Sequence, residues 1–343
     1  MDSIAHYISR LCIATAVIVA VAFPSAAEDV VHVRTSAGGS GSRMTGEIVD
    51  YSGGELKLRT SSGQVLSIPA DRVEHVDYTR VEEQVAADNL MLDGKLAEAV
   101  VAYGKAFGTE KRPWASNIIL AQIILCHRSL GQVEEACAHF EFLVRGDPTT
   151  PYFDLIPLAW QTSEPPPTLV TRAQRWLSNN EVPAVALLGA SWLLATDRRT
   201  VASAVLNRLS TSVDRRVAEL ATAQLWRTQM VSATPEQVDR WRRAVRKFPP
   251  AVRGGPYYVV GKALARQGRH EQAALAFMRV PILYPQERSL AAESLWGAAG
   301  QLKRLGLTAE SAALYRELAD DYPESPLADA AGDELTRQRE KGD

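Results

Sequence analysis

Hydrophobic and polar positions keep three different rhythms along the chain. Leu11 to Phe23 is an almost unbroken apolar run that ends in Pro24-Ser25-Ala26-Ala27. From residue 29 to about 79, apolar and polar residues alternate in short bursts separated by glycine turns, the pattern of strands. From Val81 onward the apolar positions recur with the period of helices. Each rhythm predicts a different kind of structure.

The first run holds 13 residues, too short for comfortable spanning as a permanent helix. A short polar start ending at Arg10 and the small residues before Glu28 fit a secretory signal peptide cleaved after Ala27. An uncleaved anchor is the alternative. Cys12 stands early in the run rather than at its end, which argues against a lipid-modified start. The mature chain is thus expected to be exported, periplasmic or secreted. No other segment is apolar enough to cross a bilayer, so no stable span is expected after cleavage, and contact with the envelope would be peripheral.

Residues 28–80 predict five short strands. Val30-Val31-His32-Val33 is followed, after the loop Ala37 to Ser42, by Thr45 to Tyr51. Gly53-Gly54 then turns into Glu55 to Leu58, Ser62-Gly63 into Val65 to Ile68, and Val73 to Tyr78 comes last. So few strands predict a small closed barrel, because closure removes exposed edges. The order resembles the Sm-like and SH3-like barrels: a bent strand carrying Gly46, two hairpins, then Ile68-Pro69 and a final strand opening at Val73. Sm-like barrels often bind RNA. Export and the lack of a basic cluster count against that here, and no nucleic-acid partner is expected.

The helical part repeats. From Gly131, the residues Ala136, Phe140, Leu143 and Pro148 follow at intervals of 5, 9, 12 and 17. The same intervals lead from Gly268 to Ala273, Phe277, Val280 and Pro285, and from Gly306 to Ser311, Tyr315, Leu318 and Pro323. They also lead from Gly94 to Ala99, Tyr103 and Ala106, where Lys111 replaces the proline. The glycine reverses the chain between two helices without a Cβ penalty. The small residue lets those helices approach, the aromatic fills the groove between them, and the proline closes the second helix. This spacing resembles the tetratricopeptide repeat, with Gly261 as the small residue of a first helix. The resemblance implies a mainly α fold, an α-solenoid of antiparallel helix pairs. Ser311 departs from the usual alanine, and Ile124 and Ala299 stand where the first helix often has glycine. The longer period of 37 to 38 and the "Tyr-Pro" endings at Tyr284-Pro285 and Tyr322-Pro323 are similar to repeats of exported bacterial scaffolds, such as Tol-Pal-associated coordinators and outer-membrane assembly subunits.

Residues 81–147 hold two such repeats, 148–168 a proline-rich loop, 169–250 degenerate helical repeats, 251–325 two further repeats, and 326–343 a capping helix and tail. In the degenerate stretch, Leu169 to Leu177 is expected to pair with Val182 to Ala195, and Thr200 to Leu209 with Arg215 to Met230. A further helix opens at Thr234-Pro235-Glu236 and stops at Pro249-Pro250. The change of rhythm near Arg80 predicts that the solenoid stands without the strands.

A net charge of −2 carries no basic excess of the kind nucleic-acid binders show. No HExxH, GxSxG, GxxxxGK[ST] or GxGxxG motif is present, so no catalytic residue, cofactor site or enzyme activity is assigned. Cys126, His127, Cys137 and His139 diverge on their helices, and the cysteines read as buried apolar residues rather than zinc ligands. The resemblance implies protein partners held along the face made by the first helix of each unit. In the last units that face would carry Tyr258, Lys262 and Arg266 beside Trp296, Lys303 and Arg304, suited to an acidic or C-terminal peptide. In the first unit it would carry Gln84, Asp88 and Met91. Tyr152, Phe153 and Trp160 of the proline-rich loop would either anchor a partner or cover the end of the first repeats. The reading is a non-enzymatic interaction scaffold of the cell envelope. The alternative is a module binding an envelope polymer or anionic lipid through the β domain and basic helix 236–248, where Val238, Trp241, Val245 and Phe248 leave the arginines on the solvated side.

Overall fold

The computed structural model describes residues 28–34, 41–161, 163–179 and 181–340. The expected signal segment and most of the loop after the first strand lie outside them.

Five strands form where alternation places them: β1 (Asp29–Val33), β2 (Ser42–Ser52), β3 (Glu55–Arg59), β4 (Val65–Pro69) and β5 (Val73–Asp77). They make one antiparallel sheet in the order β4-β3-β2-β1-β5. Gly46 lets the long β2 pass close to β3, since a Cβ there would lie 2.3 Å from the Arg59 carbonyl oxygen. The sequence predicts closure, yet no ladder joins β4 to β5 among the described residues. The apolar face is covered instead from outside the sheet. Val31, Val33, Ile48, Tyr51, Leu56, Leu58, Ile68 and Val76 share their core with Trp114 and Ala115 of the third helix. Trp114 is 3% exposed. The sheet is therefore docked on the helices rather than closed on itself.

The helices are α1 (Glu82–Leu92), α2 (Leu96–Thr109), α3 (Pro113–Ser129), α4 (Val133–Gly146), α5 (Pro167–Leu177), α6 (Pro183–Leu193), α7 (Arg199–Leu209), α8 (Arg215–Gln229), α9 (Pro235–Val245), α10 (Gly254–Arg266), α11 (His270–Leu283), α12 (Arg288–Arg304), α13 (Thr308–Asp321) and α14 (Ala328–Glu340). They form a mainly α solenoid of antiparallel pairs preceded by the small sheet. Gly94, Gly131, Gly268 and Gly306 each reverse the chain at positive φ, between 69° and 78°. A Cβ at any of them would meet nothing within 4 Å, so the backbone conformation alone calls for glycine. Ala99, Ala136, Ala273 and Ser311 are buried at the helix contacts, as are Tyr103, Phe140, Phe277 and Tyr315 one turn on. Gly261 and Gly297 flank Phe277, and a Cβ on either would press on its ring, at 2.8 Å and 3.0 Å. Ser311 is reconciled with burial by donating its hydroxyl to the Ala299 carbonyl, at 2.9 Å.

In the middle of the array the expected neighbours pack together, α5 with α6 and α7 with α8, and α6, α8, α10 and α12 follow one another along one layer. Helix α9 packs on α10. No alanine marks its contact with α8, which is made by stacked rings: Trp226 lies 5.4 Å from Trp241 and 5.9 Å from Phe248, centroid to centroid. The start of α9 follows its sequence signal, with the Thr234 hydroxyl accepting from the Gln237 N–H and the Gln237 side chain accepting from the Thr234 N–H.

Candidate partner-binding surfaces

The proposed patch on the last units is partly occupied by the protein's own contacts. Tyr258, 2% exposed, donates its hydroxyl to the Glu293 carboxylate. The Lys262 ammonium stands 5.7 Å from the centre of the Tyr258 ring. Burial raises the Glu293 carboxyl above its ordinary value, while the Tyr258 hydroxyl and Lys262 pull it down. Trp296 meets Tyr315 edge to face at 5.1 Å. Lys303 reaches Glu334 of α14 at 2.6 Å, so the capping helix takes that charge. Arg266 and Arg304 are exposed. The structure thus brings Tyr258 and Lys262 together and ties Trp296 and Lys303 to neighbouring helices.

The proline-rich loop fills the adjoining part of the same layer. Phe153 is 3% exposed and meets Phe140 edge to face at 6.2 Å; the Arg216 guanidinium lies 4.3 Å from the centre of its ring. Tyr152 packs on Tyr51 of β2 at 6.2 Å. Trp160 is 9% exposed and lies against Gly255. Main-chain carbonyls of the loop are claimed one after another. The Trp192 indole N–H donates to Pro157 at 3.0 Å, Gln224 donates to Ala159 at 2.9 Å, and Arg227 donates to Ala159 at 3.0 Å and to Gln161 at 2.6 Å. Arg227 also donates to the Ser191 carbonyl at 2.8 Å and the Gln224 side chain at 2.6 Å. These partners are carbonyls, not carboxylates, and burial pulls the guanidinium down to about 10. Beyond the loop, Arg128 at the end of α3 pairs with Glu287 just before α12. Phe153 and Trp160 are thus buried against the protein's own helices, while Tyr152 is half-buried against β2.

The first helix pair leaves a groove open. About 620 Å³ of space lies between β5, α1 and α3, lined by Gln84, Asp88 and Met91 and by four tyrosines, Tyr51, Tyr78, Tyr103 and Tyr152. Gln84 and Asp88 stand fifteen and eleven residues before Ala99, as Tyr258 and Lys262 stand before Ala273. They therefore occupy the same two places on the first helix of their unit. The Tyr103 hydroxyl donates to Asp88 at 2.6 Å, and Arg80 pairs with the other Asp88 oxygen at 2.8 Å. Gln84 donates to the Tyr78 hydroxyl at 2.7 Å. Tyr78 meets Trp114 edge to face at 5.0 Å, beneath the Arg80 and Arg112 guanidinia. Burial pushes the Tyr51 phenol up to about 12 and raises Tyr78, Tyr103 and Tyr152 as well. All four hydroxyls are therefore protonated at neutral pH. Sequence spacing places Gln84, Asp88 and Met91 on this face; the wall supplied by β5 and Tyr152 comes from distant segments.

Cys126 and Cys137 are free and buried, in two different core clusters. Burial pushes the Cys126 thiol up to about 11. His127 and His139 stack at 5.1 Å. Among the described residues no group of three or more His, Cys, Asp or Glu side chains converges as a metal site would require. No described helix is long and apolar enough to cross a membrane. On α9, Val238, Trp241, Val245 and Phe248 are buried as the stripe predicts, Arg242 bonds Asp239 and Gln272, and Arg240, Arg243, Arg246 and Lys247 face solvent.

Residues 293–325 match the family model described as Tetratricopeptide repeat, the stretch that carries Gly306, Ser311, Tyr315 and Pro323. No curated protein matches the chain. A solved structure titled "Assembly Chaperone of RpL4 (Acl4) (Residues 1-338)" is similar over 76% of this chain and 98% of that one, at 16% identity and a TM-score of 0.32, too slight a likeness to carry a functional inference.

Proposed function

We propose that this chain is a non-enzymatic scaffold that binds partner proteins through the groove between β5, α1 and α3, and that it works outside the cytoplasm, at the cell envelope. The observation that carries the reading is the division of the repeat face. Its later part is taken up by the loop around Trp160 and by the Tyr258–Glu293 contact, while its first part remains an open, tyrosine-lined groove. Pockets of this size with a few placed polar groups are where ligands bind. Tyrosines and a methionine suit protein contacts, because they bury large area at modest entropic cost. The export reading rests on the apolar run and small residues at 11–27.

Two measurements separate this from the lipid or polymer reading. The mature chain, incubated with envelope extract, is expected to retain protein partners that a Met91→Arg variant loses. Sedimentation with anionic liposomes or cell wall that depends on Arg240 and Arg243, with no such loss for Met91→Arg, would overturn it. Mass spectrometry of the exported protein is expected to give Glu28 as the first residue; retained Met1 would overturn the cleavage.

A further inference from the structure

One wall of the groove is a strand edge. Val73, Glu74, His75 and Val76 all line it. Successive side chains of a strand point to opposite faces, so four consecutive residues can line one space only along the edge. β5 pairs with β1 along its other edge, from Val30↔Asp77 to Val33↔Val73, and has no second strand neighbour among the described residues. The edge toward the groove therefore presents a row of peptide N–H and C=O groups. Exposed edges are usually blunted by charged side chains, proline or bulges. The opposite edge strand, β4, ends in Pro69, whereas β5 carries no lysine or proline and its bulge lies on the β1 side. Its carboxylates are paired, Glu74 with Arg34 and Asp77 with His32 and His75.

The facing wall holds an unsatisfied acceptor. Gln84 is 2% exposed, its amide nitrogen donates to Tyr78, and its Oε1 has no partner. Turning the amide over would only move the deficit to the other end. A buried polar atom left unpaired is costly; Oε1 is closed off in the unliganded protein, so a ligand's donor removes that cost by drawing the Gln84 side chain toward the groove. The charges around it are already matched, Arg80 with Asp88 and Glu74 with Arg34, so the groove does not call for a charged ligand. The protein shows elsewhere how it holds an extended segment against its helices. Around Trp160, side-chain donors from α6 and α8 take the carbonyls of Pro157, Ala159 and Gln161, every second residue of the chain.

We infer that the groove receives an uncharged, extended segment of a partner protein as a sixth strand on β5, with one N–H of that segment given to Gln84 Oε1 and an apolar side chain set beside Tyr78 and Met91. The inference rests on the groove reading above and adds to it the partner's conformation and its main-chain recognition.

The test uses the mature chain and linear random peptides displayed on phage. The tightest selected peptide is then synthesised with its backbone nitrogens N-methylated on alternate residues, in both registers. An added strand uses every second N–H for pairing, so one register is expected to weaken binding by about tenfold or more and the other to leave it nearly unchanged. Gln84→Leu is expected to weaken the unmodified peptide by about tenfold while leaving circular dichroism unchanged. If neither methylated register matters, yet Met91→Arg or the exposed Leu92→Arg abolishes binding, the strand pairing is wrong and the groove reading survives. If none of Gln84→Leu, Met91→Arg and Leu92→Arg affects binding, or no peptide is selected at all, both fall. A concentration-dependent dimer displaced by the peptide would assign the edge to a second copy of this chain and overturn the partner assignment.

Discussion

Trp160 packs on Gly255 so closely that a Cβ on the glycine would lie 1.9 Å from indole Cε2. Glycine inside a helix costs about 1 kcal/mol relative to alanine, so this one is retained for the ring. Gly255→Ala recovers that amount but forces the indole out of its place, and losing a buried tryptophan contact costs about 3–5 kcal/mol. The expected result is a lower melting temperature together with protease cleavage within residues 148–168. A variant that melts higher and resists cleavage would show that the loop is not held there.

The sheet and the solenoid should unfold together. Trp114 and Ala115 complete the sheet's core, and the Gly53 N–H donates to Asp147 at the end of α4, at 2.8 Å. Residues 81–343 alone would expose Trp114, Ile118 and Tyr152. The rhythm change near Arg80 marks where strands give way to helices but not where packing stops. Trp114→Ala is expected to cost about 3–5 kcal/mol. Thermal circular dichroism of residues 81–343 is expected to show a lower and broader transition than that of residues 28–343; equal melting would contradict the docking.

Repeat packing gives a sharper contrast. Phe277→Ala empties the space between Gly261 and Gly297 and should cost about 3–5 kcal/mol. Ala273→Leu overfills a closed contact, at about 1–3 kcal/mol. Arg304→Ala, on the exposed end of α12, should stay within about 0.5 kcal/mol. Urea unfolding of the three variants decides the matter. Equal, small effects would remove Ala273 and Phe277 from the core.

Glu293 should make stability depend on pH. Its carboxyl is raised above the ordinary 4.5, chiefly by burial, so the folded state binds this proton more tightly than the unfolded chain does. The contribution is fully present below the ordinary value and is lost as pH rises through the raised one. Glu293→Gln keeps an acceptor for the Tyr258 hydroxyl and carries no charge. It is expected to flatten the pH profile over that window and to stabilise the protein at pH 7. Lys262→Ala removes a charge that lowers the Glu293 carboxyl and should move the window to higher pH. Denaturation midpoints measured across a pH series would contradict this if Glu293→Gln kept the parent slope.

Local chemistry made part of this legible from the sequence. Strand alternation between glycine turns located all five strands, and the spacing from each repeat glycine located Ala99, Ala136, Ala273 and Ser311, because those positions are fixed by their own turn and helix. The ring contact between α8 and the α9 segment was hidden. Large rings, Trp226, Trp241 and Phe248, do there what a small residue does elsewhere, so the spacing signal vanishes. The loop was hidden for a related reason. Six prolines and three aromatics describe its composition, but the partners of Trp160 and its flanking carbonyls come from α6, α8 and α10, tens of residues further on. The groove was half legible: Gln84, Asp88 and Met91 follow from repeat register, whereas β5 as the opposite wall follows only from docking through Trp114.

The most direct test of the account is site-specific photocrosslinking in cells that export the protein, with the crosslinking residue placed at Met91 in the groove or at Arg304 on the outer end of α12. Protein adducts are expected from position 91, reduced by Gln84→Leu, and few or none from position 304. Adducts from position 304 with none from position 91 would contradict it, and would return the binding surface to the last repeats.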